Sequence, residues 1–332
     1  MPPVAFDDDI NGLIRAARTG QPRAVGRLIS LVENNSAALR SVMAALAPDT
    51  GRAHVVGVTG APGVGKSTTT TALVAALRAA GQRVGVLAVD PSSPFTGGAL
   101  LGDRVRMQSH ALDGDVFIRS MATRGHLGGL AVAAPQALRV FDAAGCDTVL
   151  VETVGVGQSE VEVAATADTV VVLLAPGMGD GVQAAKAGIL EIADILVVNK
   201  ADRDDVQPLV RDLRSMVALT ERQESQWKPP IVTTVATTGE GIADLLTTIA
   251  TARSHAQDSG QWQTRRLERA RAEIESMALA RLRSELTMSG SADLLELATA
   301  VRDGRLDPYE ATDRLMQLRA NASVGAARRW RG

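Results

Sequence analysis

Residues Val55 to Thr71 read V-V-G-V-T-G-A-P-G-V-G-K-S-T-T-T-T. Gly60, Gly65, Lys66 and Ser67 fit G-x-x-x-x-G-K-[ST], the spacing of a phosphate-binding loop. Val55, Val56 and Val58 are β-branched and apolar, as a buried strand requires. The glycines allow a sharp turn that aims successive backbone N–H groups at one point. Lys66 is placed to reach the β- and γ-phosphates, and the Ser67 hydroxyl to sit on Mg²⁺. The residues from Thr71 to Arg78 read as a helix whose N-terminus turns its positive dipole end to the same phosphates. The candidate loop comprises Gly60, Ala61, Pro62, Gly63, Val64, Gly65, Lys66, Ser67 and Thr68.

Working outward, strand and helix patterns alternate from about residue 51 to about 254. Strands are expected near 53–58, 84–89, 116–119, 148–152, 169–174, 195–199 and 231–235. Helices lie between several of them, with Gly81 and Gly145 in C-cap positions. The alternation argues an α/β fold: a mostly parallel central sheet flanked by helices, with ligands at the carboxyl ends of its strands.

Residues 9 to 47 read as three helices. Ile10, Leu13, Ile14 and Ala17 share a face. Pro22 opens a second helix with Val25, Leu28, Ile29 and Val32 inward. Ser36 is placed to cap a third, with Leu39, Val42, Met43 and Leu46 inward. They carry no visible chemistry and read as a cover or docking surface.

After residue 255 the strands stop. His255 to Gly260 reads as a linker. Leu267, Ala270, Ile274, Met277, Leu282 and Leu286 mark a long amphipathic helix that Gly290 breaks, and Asp307-Pro308-Tyr309-Glu310 resembles a capping box. Arg265, Arg266, Arg269 and Arg271 read as a solvated face in preference to a contact with an acidic partner. The apolar stripe must be buried on the core or on a second copy of the chain. Asn321 to Gly332 reads as a loose tail. The expected organisation is a helical extension over 1–50, a P-loop domain over 51–255 and a helical arm over 256–332.

The 332 residues carry 35 basic and 37 acidic side chains, a net charge of −2, which speaks against a dedicated nucleic-acid or anionic-membrane binder. An aromatic content of 2% leaves little for base stacking. Cys146 is the one cysteine, so no disulfide framework is expected, and with four histidines no metal-ligand cluster emerges. Asp7, Asp8 and Asp9 stand where a signal peptide would be basic and then apolar, and no apolar run approaches spanning length. A soluble cytoplasmic protein is expected.

Further segments carry candidate chemistry. Asn199-Lys200-Ala201-Asp202 follows an apolar strand and fits N-K-x-D. A carboxylate such as Asp202 accepts from guanine N1–H and N2–H₂, where adenine offers an acceptor and nothing. Val149-Leu150-Val151-Glu152 is an apolar strand ending in a carboxylate suited to Mg²⁺ or its water. Most GTPases have Asp in D-x-x-G; here the run is Glu152-Thr153-Val154-Gly155, with the Gly155 N–H placed for the γ-phosphate. Val156 stands where a water-orienting Gln often lies, with Gln158 two places on. Slow intrinsic hydrolysis that waits on a partner or a second subunit is therefore expected. Asp90, in Val89-Asp90-Pro91-Ser92-Ser93-Pro94, and Asp103 could reach the metal shell or the water, and a turn-forming Asp before Pro is the alternative for Asp90. Pro176-Gly177-Met178-Gly179-Asp180-Gly181, followed by Lys186, suggests a segment that orders on binding, or simply a loop. Arg119 or Arg124 could approach phosphate; His126 reads as a structural polar residue.

Together G-A-P-G-V-G-K-S-T at 60–68, V-D-P-S-S-P at 89–94, V-E-T-V-G-V-G-Q-S-E at 151–160, A-P-G-M-G-D at 175–180 and N-K-A-D at 199–202 resemble the methylmalonyl-CoA mutase-associated GTPases, the MeaB/ArgK-like family. The resemblance implies a P-loop GTPase using GTP/GDP and Mg²⁺. It implies a chaperone that gates cofactor loading of an adenosylcobalamin-dependent methylmalonyl-CoA mutase and protects or rescues it. It also implies a homodimer in which the C-terminal arm takes part. Carried over, Lys66 and Ser67 bind phosphate and Mg²⁺, and Asp90, Asp103 and Glu152 match the family's acidic metal-site positions. Gly177 to Lys186 matches its third switch, which responds to the mutase. Val235-Ala236-Thr237 falls where the family has a Ser-Ala pair, and the Ala236 N–H is expected to read guanine O6. The alternatives are a chaperone of a related acyl-CoA mutase, a nickel-insertion GTPase, a transport-system kinase, an ATP-driven partitioning protein and a nucleotide-binding module without turnover.

Overall fold

The computed structural model describes residues 10–91, 110, 112–123, 129–153, 165–177, 192–219, 226–289 and 291–329. They divide into two compact units, one reaching Glu273 and one beginning at Ile274.

The first unit opens with helices α1 (Ile10–Arg18), α2 (Pro22–Glu33) and α3 (Leu39–Leu46). Pro22 stands in the first turn of α2, where its missing N–H costs nothing. Strands β1 (His54–Gly60), β2 (Val84–Pro91), β3 (Val116–Thr123), β4 (Thr148–Thr153), β5 (Thr169–Leu174), β6 (Ile195–Asn199) and β7 (Ile231–Thr234) alternate with helices α4 (Lys66–Ala79), α5 (Gly129–Ala143), α6 (Val206–Leu219) and α7 (Ile242–Asp258). The seven strands pair in parallel in the order β3-β2-β4-β1-β5-β6-β7. Strand order reverses at β1, so its carboxyl end is the switch point where open α/β sheets take ligands.

Side-chain alternation splits the core in two. Val55, Leu87, Val89, Val149, Val151, Val170 and Val172 face a layer that includes α1, α2, α3, α5 and α6. Val56, Val58, Val84, Val86, Leu150, Val171 and Leu173 face α4 and α7. The N-terminal helices belong to this packing: Leu28, Ile29, Val42 and Leu46 are fully buried in the first layer. Each such side chain contributes about 2 kcal/mol. Gly81 and Gly145 end α4 and α5 at φ 76° and 82°, and the next N–H groups, of Gln82 and Cys146, reach back to the Leu77 and Phe141 carbonyls.

Two expectations change here. His255 lies inside α7, whose apolar stripe of Ile242, Leu245 and Ile249 continues through Ala252 and Ala256; the His255 ring packs 5.0 Å from that of Trp227. Only Ser259 and Gly260 separate α7 from α8 (Gln261–Ser289), and Gly260 turns the chain at φ 75°. The arginines at the start of α8 are not a solvated face. Arg266 and Arg269 pair with Asp168, whose side chain is 1% exposed, and Arg265 forks onto Asp194 at 2.9 and 3.0 Å. Arg266 also donates to the carbonyls of Gly51 and Ala53. Asp168 and Asp194 in turn accept the Val55 and Val170 N–H groups at the amino ends of β1 and β5. Buried carboxylates next to strand ends need such cations, and Arg supplies the planar fork that fits them. Arg271 is exposed.

The second unit holds the rest of α8, then α9 (Ser291–Arg302) and α10 (Pro308–Arg329). Asp307 caps α10, accepting the Tyr309 and Glu310 N–H groups at 2.8 and 3.0 Å. Residues 321–329 continue α10 and are not a loose tail. Gly290 lies outside the described residues. Ile274, Leu282, Leu295 and Met316 are exposed. No helix among the described residues is long and apolar enough to cross a membrane.

His54 lies within the arginine-rich seam at the amino end of β1. Its Nε2 is 2.9 Å from Thr169 Oγ1, and its ring is 5.5 Å from Trp262, which Arg266 covers at 4.2 Å. Burial lowers its pKa from 6.5 to about 4, against the pull of Asp168. The unfolded chain therefore binds the proton more readily. Stability is full above pH 6.5 and falls by about 3 kcal/mol as pH drops towards 4. Urea unfolding of His54→Gln should lack that part of the slope; an equal slope in both proteins would contradict the assignment.

Candidate functional site

The carboxyl edge of the sheet collects Gly60 from β1, Asp90 from β2, Glu152 from β4, Asn199 from β6 and the residues after β7. Residues 61–65 connect β1 to α4. Gly60, Gly63 and Gly65 hold φ values of 143°, 79° and 99°. A Cβ on Gly60 would lie 2.2 Å from the Leu173 carbonyl oxygen, and one on Gly65 would lie 2.3 Å from Asn199 Nδ2. The loop thus needs glycine for its turn and for its approach to β5 and β6.

Lys66 is buried and donates to the carbonyls of Gly60 and Ala61 at 2.8 and 3.1 Å, so its ammonium lies across its own loop. Ser67 Oγ donates to Glu152 Oε1 at 2.5 Å, and both residues are buried. A hydroxyl and a carboxylate together form a hard-oxygen set that fits Mg²⁺. Behind them, on the opposite face of the sheet, Thr59 and Thr153 join their hydroxyls at 2.9 Å. Pro62, Gly63 and Thr68 are exposed, while Val64 is packed inward.

Asn199 fastens three segments. Its Nδ2 donates to the Val64 carbonyl at 2.8 Å, and its Oδ1 accepts from Thr234 Oγ1 and from the Ala236 N–H, both at 3.1 Å. Lys200, at φ 61°, donates to the Gly63 carbonyl at 2.7 Å. Ala201 N–H holds the Thr234 carbonyl at 3.0 Å, and Asp202 stands exposed on the following turn. Val235 pairs with Glu240, which closes the turn that carries Ala236 and Thr237.

The structure therefore brings together Gly60 to Thr68, Glu152, Asn199, Lys200, Asp202 and Val235 to Thr237. Asp90 is the last residue but one of β2, in register with Ala122. Asp103, Arg124, His126, Gly155, Val156, Gln158 and Lys186 lie outside the described residues. Two readings shift. The Ala236 N–H, expected to face guanine, is committed to Asn199, as a buried donor must be to some acceptor. Arg119, read as a possible phosphate contact, is tied to Glu33 at 2.7 Å and Ser30 at 2.6 Å beside α2. Cys146 is buried, and burial pushes its thiol pKa up, away from any nucleophilic role. The motif's spacing does not show the clamp that Asn199 makes; its signal in the sequence is the side-chain amide, able to donate and accept at once.

Replacing Asn199 by Ala leaves the Val64 carbonyl and the Ala236 N–H without their partner. It should lower stability by about 2–3 kcal/mol and weaken nucleoside diphosphate binding about tenfold or more. Urea unfolding and a direct binding titration read both. Unchanged affinity would show that the clamp does not shape the site.

The family model described as Methylmalonyl Co-A mutase-associated GTPase MeaB matches residues 25–291. A protein of Pyrococcus horikoshii named as a GTPase is 46% identical over 310 residues, covering 93% of this chain and 98% of that protein. The mitochondrial methylmalonic aciduria type A homolog of Mus musculus is 36% identical over 269 residues, covering 79% of this chain and 64% of that one. The crystal structure of a LAO/AO transport system kinase superposes with a TM-score of 0.71 at 26% identity, covering 95% of this chain and 99% of that one. The chain belongs to the MeaB family of methylmalonyl-CoA mutase-associated GTPases, and it is a P-loop GTPase that binds guanine nucleotide.

Proposed function

We propose that this GTPase serves as a chaperone of an adenosylcobalamin-dependent methylmalonyl-CoA mutase, coupling GTP binding and hydrolysis to cofactor loading and to protection or reactivation of the mutase. The observation that carries the reading is the match to a family described as associated with that mutase over residues 25–291.

The site supports a division of labour. Backbone N–H groups from Gly60 to Thr68, at the start of α4, bind the phosphates, and Lys66 leaves the Gly60 and Ala61 carbonyls to reach the β- and γ-phosphates. Ser67 and Glu152, with Asp90 and Asp103, would hold Mg²⁺. Bound there, the ion would neutralise charge on the phosphate oxygens. Gly155 donates to the γ-phosphate. Asp202 accepts from the guanine edge, while Asn199 and Lys200 brace the phosphate loop against the turn at Val235, Ala236 and Thr237. The segment from Gly177 to Lys186 receives the signal from the mutase, and Lys186 completes the catalytic set. The exposed apolar residues Ile274, Leu282, Leu295 and Met316 suit a homodimer through the arm. The working place is the cytoplasm.

Val156, in place of a water-orienting Gln, favours slow hydrolysis by the isolated protein. The test is GTP turnover of the full chain with and without purified methylmalonyl-CoA mutase. Stimulation of about tenfold or more is expected, in the manner of partner-completed GTPase sites. Equal rates at saturating mutase would contradict the chaperone reading.

A further inference from the structure

Beneath the phosphate loop, the pairing of β1 with β4 stops early. The paired residues of these two strands end at Val58 and Glu152, whereas β1 stays paired with β5 through Gly60 and β4 with β2 through Thr153. One residue past the end of the β1–β4 ladder, Thr59 and Thr153 join their hydroxyls at 2.9 Å. Both are buried, at 0% and 1% exposure. On the same face of the sheet the preceding side chains are Val55 of β1 and Val149 and Val151 of β4, so this face turns polar only at its last position. Stability does not account for the change. Two valines have the same shape, and replacing both partners of a buried hydrogen bond by apolar groups of that shape is nearly neutral. What the hydroxyls add is a bond of fixed length and direction between two backbones at the point where their pairing has stopped.

The place of that bond gives it a use. Thr59 is followed by Gly60 and the loop that leads to Ser67, and Thr153 is preceded by Glu152. On the other face of the sheet Ser67 Oγ donates to Glu152 Oε1 at 2.5 Å. The two contacts close a ring. It runs from Thr59 along the loop to Ser67, across to Glu152, on to Thr153 and back across to Thr59. The hydroxyl pair thus ties together the two chain segments that carry Ser67 and Glu152, from behind and at the nearest residues that face away from the site.

We propose that Thr59 and Thr153 are positioning residues of the nucleotide site: their hydroxyl pair holds the ends of β1 and β4 together so that Ser67 and Glu152 can share one divalent cation, directly or through its water. The inference rests on the reading of Ser67 and Glu152 as holders of Mg²⁺. That ion demands a near-ideal octahedron of oxygens at about 2.0–2.1 Å, so its ligands must be set closely. A brace behind the ligands, touching neither cation nor nucleotide, limits how far they can part. Loss of such a supporting partner weakens a metal site about 10–100-fold.

The experiment uses the full chain. GDP affinity is titrated with and without Mg²⁺, and the thermal midpoint of the nucleotide-free protein is recorded. The proteins are the wild type, a valine pair (Thr59→Val with Thr153→Val), a serine pair (Thr59→Ser with Thr153→Ser) and Ser67→Ala. The valine pair should keep the free midpoint within about 2 °C of the wild type. It should bind GDP about tenfold more weakly with Mg²⁺ and equally well without it. The serine pair, which keeps both hydroxyls, should keep the full gain from Mg²⁺; loss of that gain would overturn the inference whether or not the valine pair folds. A hydroxyl pair that only supports the fold would lower the midpoint of the valine pair and weaken GDP equally with and without Mg²⁺, and that result would overturn the inference too. So would a wild-type gain from Mg²⁺ in the valine pair while Ser67→Ala loses it, and the site reading would then stand. No effect of Mg²⁺ on the wild type, or a full one in Ser67→Ala, would remove the site reading and this inference together.

Discussion

The site depends on how closely the backbone of residues 60–65 approaches β5 and β6. No side chain larger than hydrogen fits at Gly60, where the Leu173 carbonyl oxygen would be 2.2 Å from a Cβ, or at Gly65, where the Asn199 amide occupies the space. That approach lets Asn199 reach the Val64 carbonyl with one end of its amide and the turn after β7 with the other. The phosphate loop and the turn after β7 are then held as one body by a buried side chain. Rigid placement of this kind is what preorganised binding requires.

The opposite edge of the sheet is held by charge. Asp168 and Asp194 bind strand N–H groups and are neutralised by Arg265, Arg266 and Arg269 from α8. Burial disfavours the ionised Asp168, but the hydrogen bond from Arg266 and the charges of Arg269 and Arg266 prevail and keep its carboxyl below the ordinary range. Removing one partner from such a group strands the rest, at a cost of about 3–5 kcal/mol. The start of α8 is therefore fastened beneath the sheet, on the edge away from the phosphate loop. The phosphate loop and the helical anchoring occupy different ends of the same strands.

Much of this was legible in the sequence. The strands near Val55, Val84, Val149, Val170 and Ile195 announced themselves by β-branched runs, and the phosphate loop and N-K-x-D by fixed spacing of residues with few substitutes. The roles of Arg265, Arg266 and Arg269 are not legible, because an arginine run looks the same whether it faces water or two buried carboxylates about 70 and about 100 residues away. Asp168 and Asp194 gave no sign either, since a lone acid before a strand is also an ordinary turn residue. His255 looked like a linker because its neighbours are polar, and only the packing of Ala252, Ala256 and Trp227 makes it helical. Position alone suits the Ala236 N–H to the base, yet its acceptor is a side chain on another strand. Long-range pairing was hidden in each case, while local pattern was readable.

The most direct test of the account is competitive binding of GDP and ADP to the full chain in the presence of Mg²⁺. If Asp202 reads the base beside a phosphate loop clamped by Asn199, GDP should bind more tightly than ADP by about a hundredfold or more, because adenine sets an acceptor against a carboxylate and leaves its other oxygen unpaired. Equal affinities would contradict the base pocket proposed here.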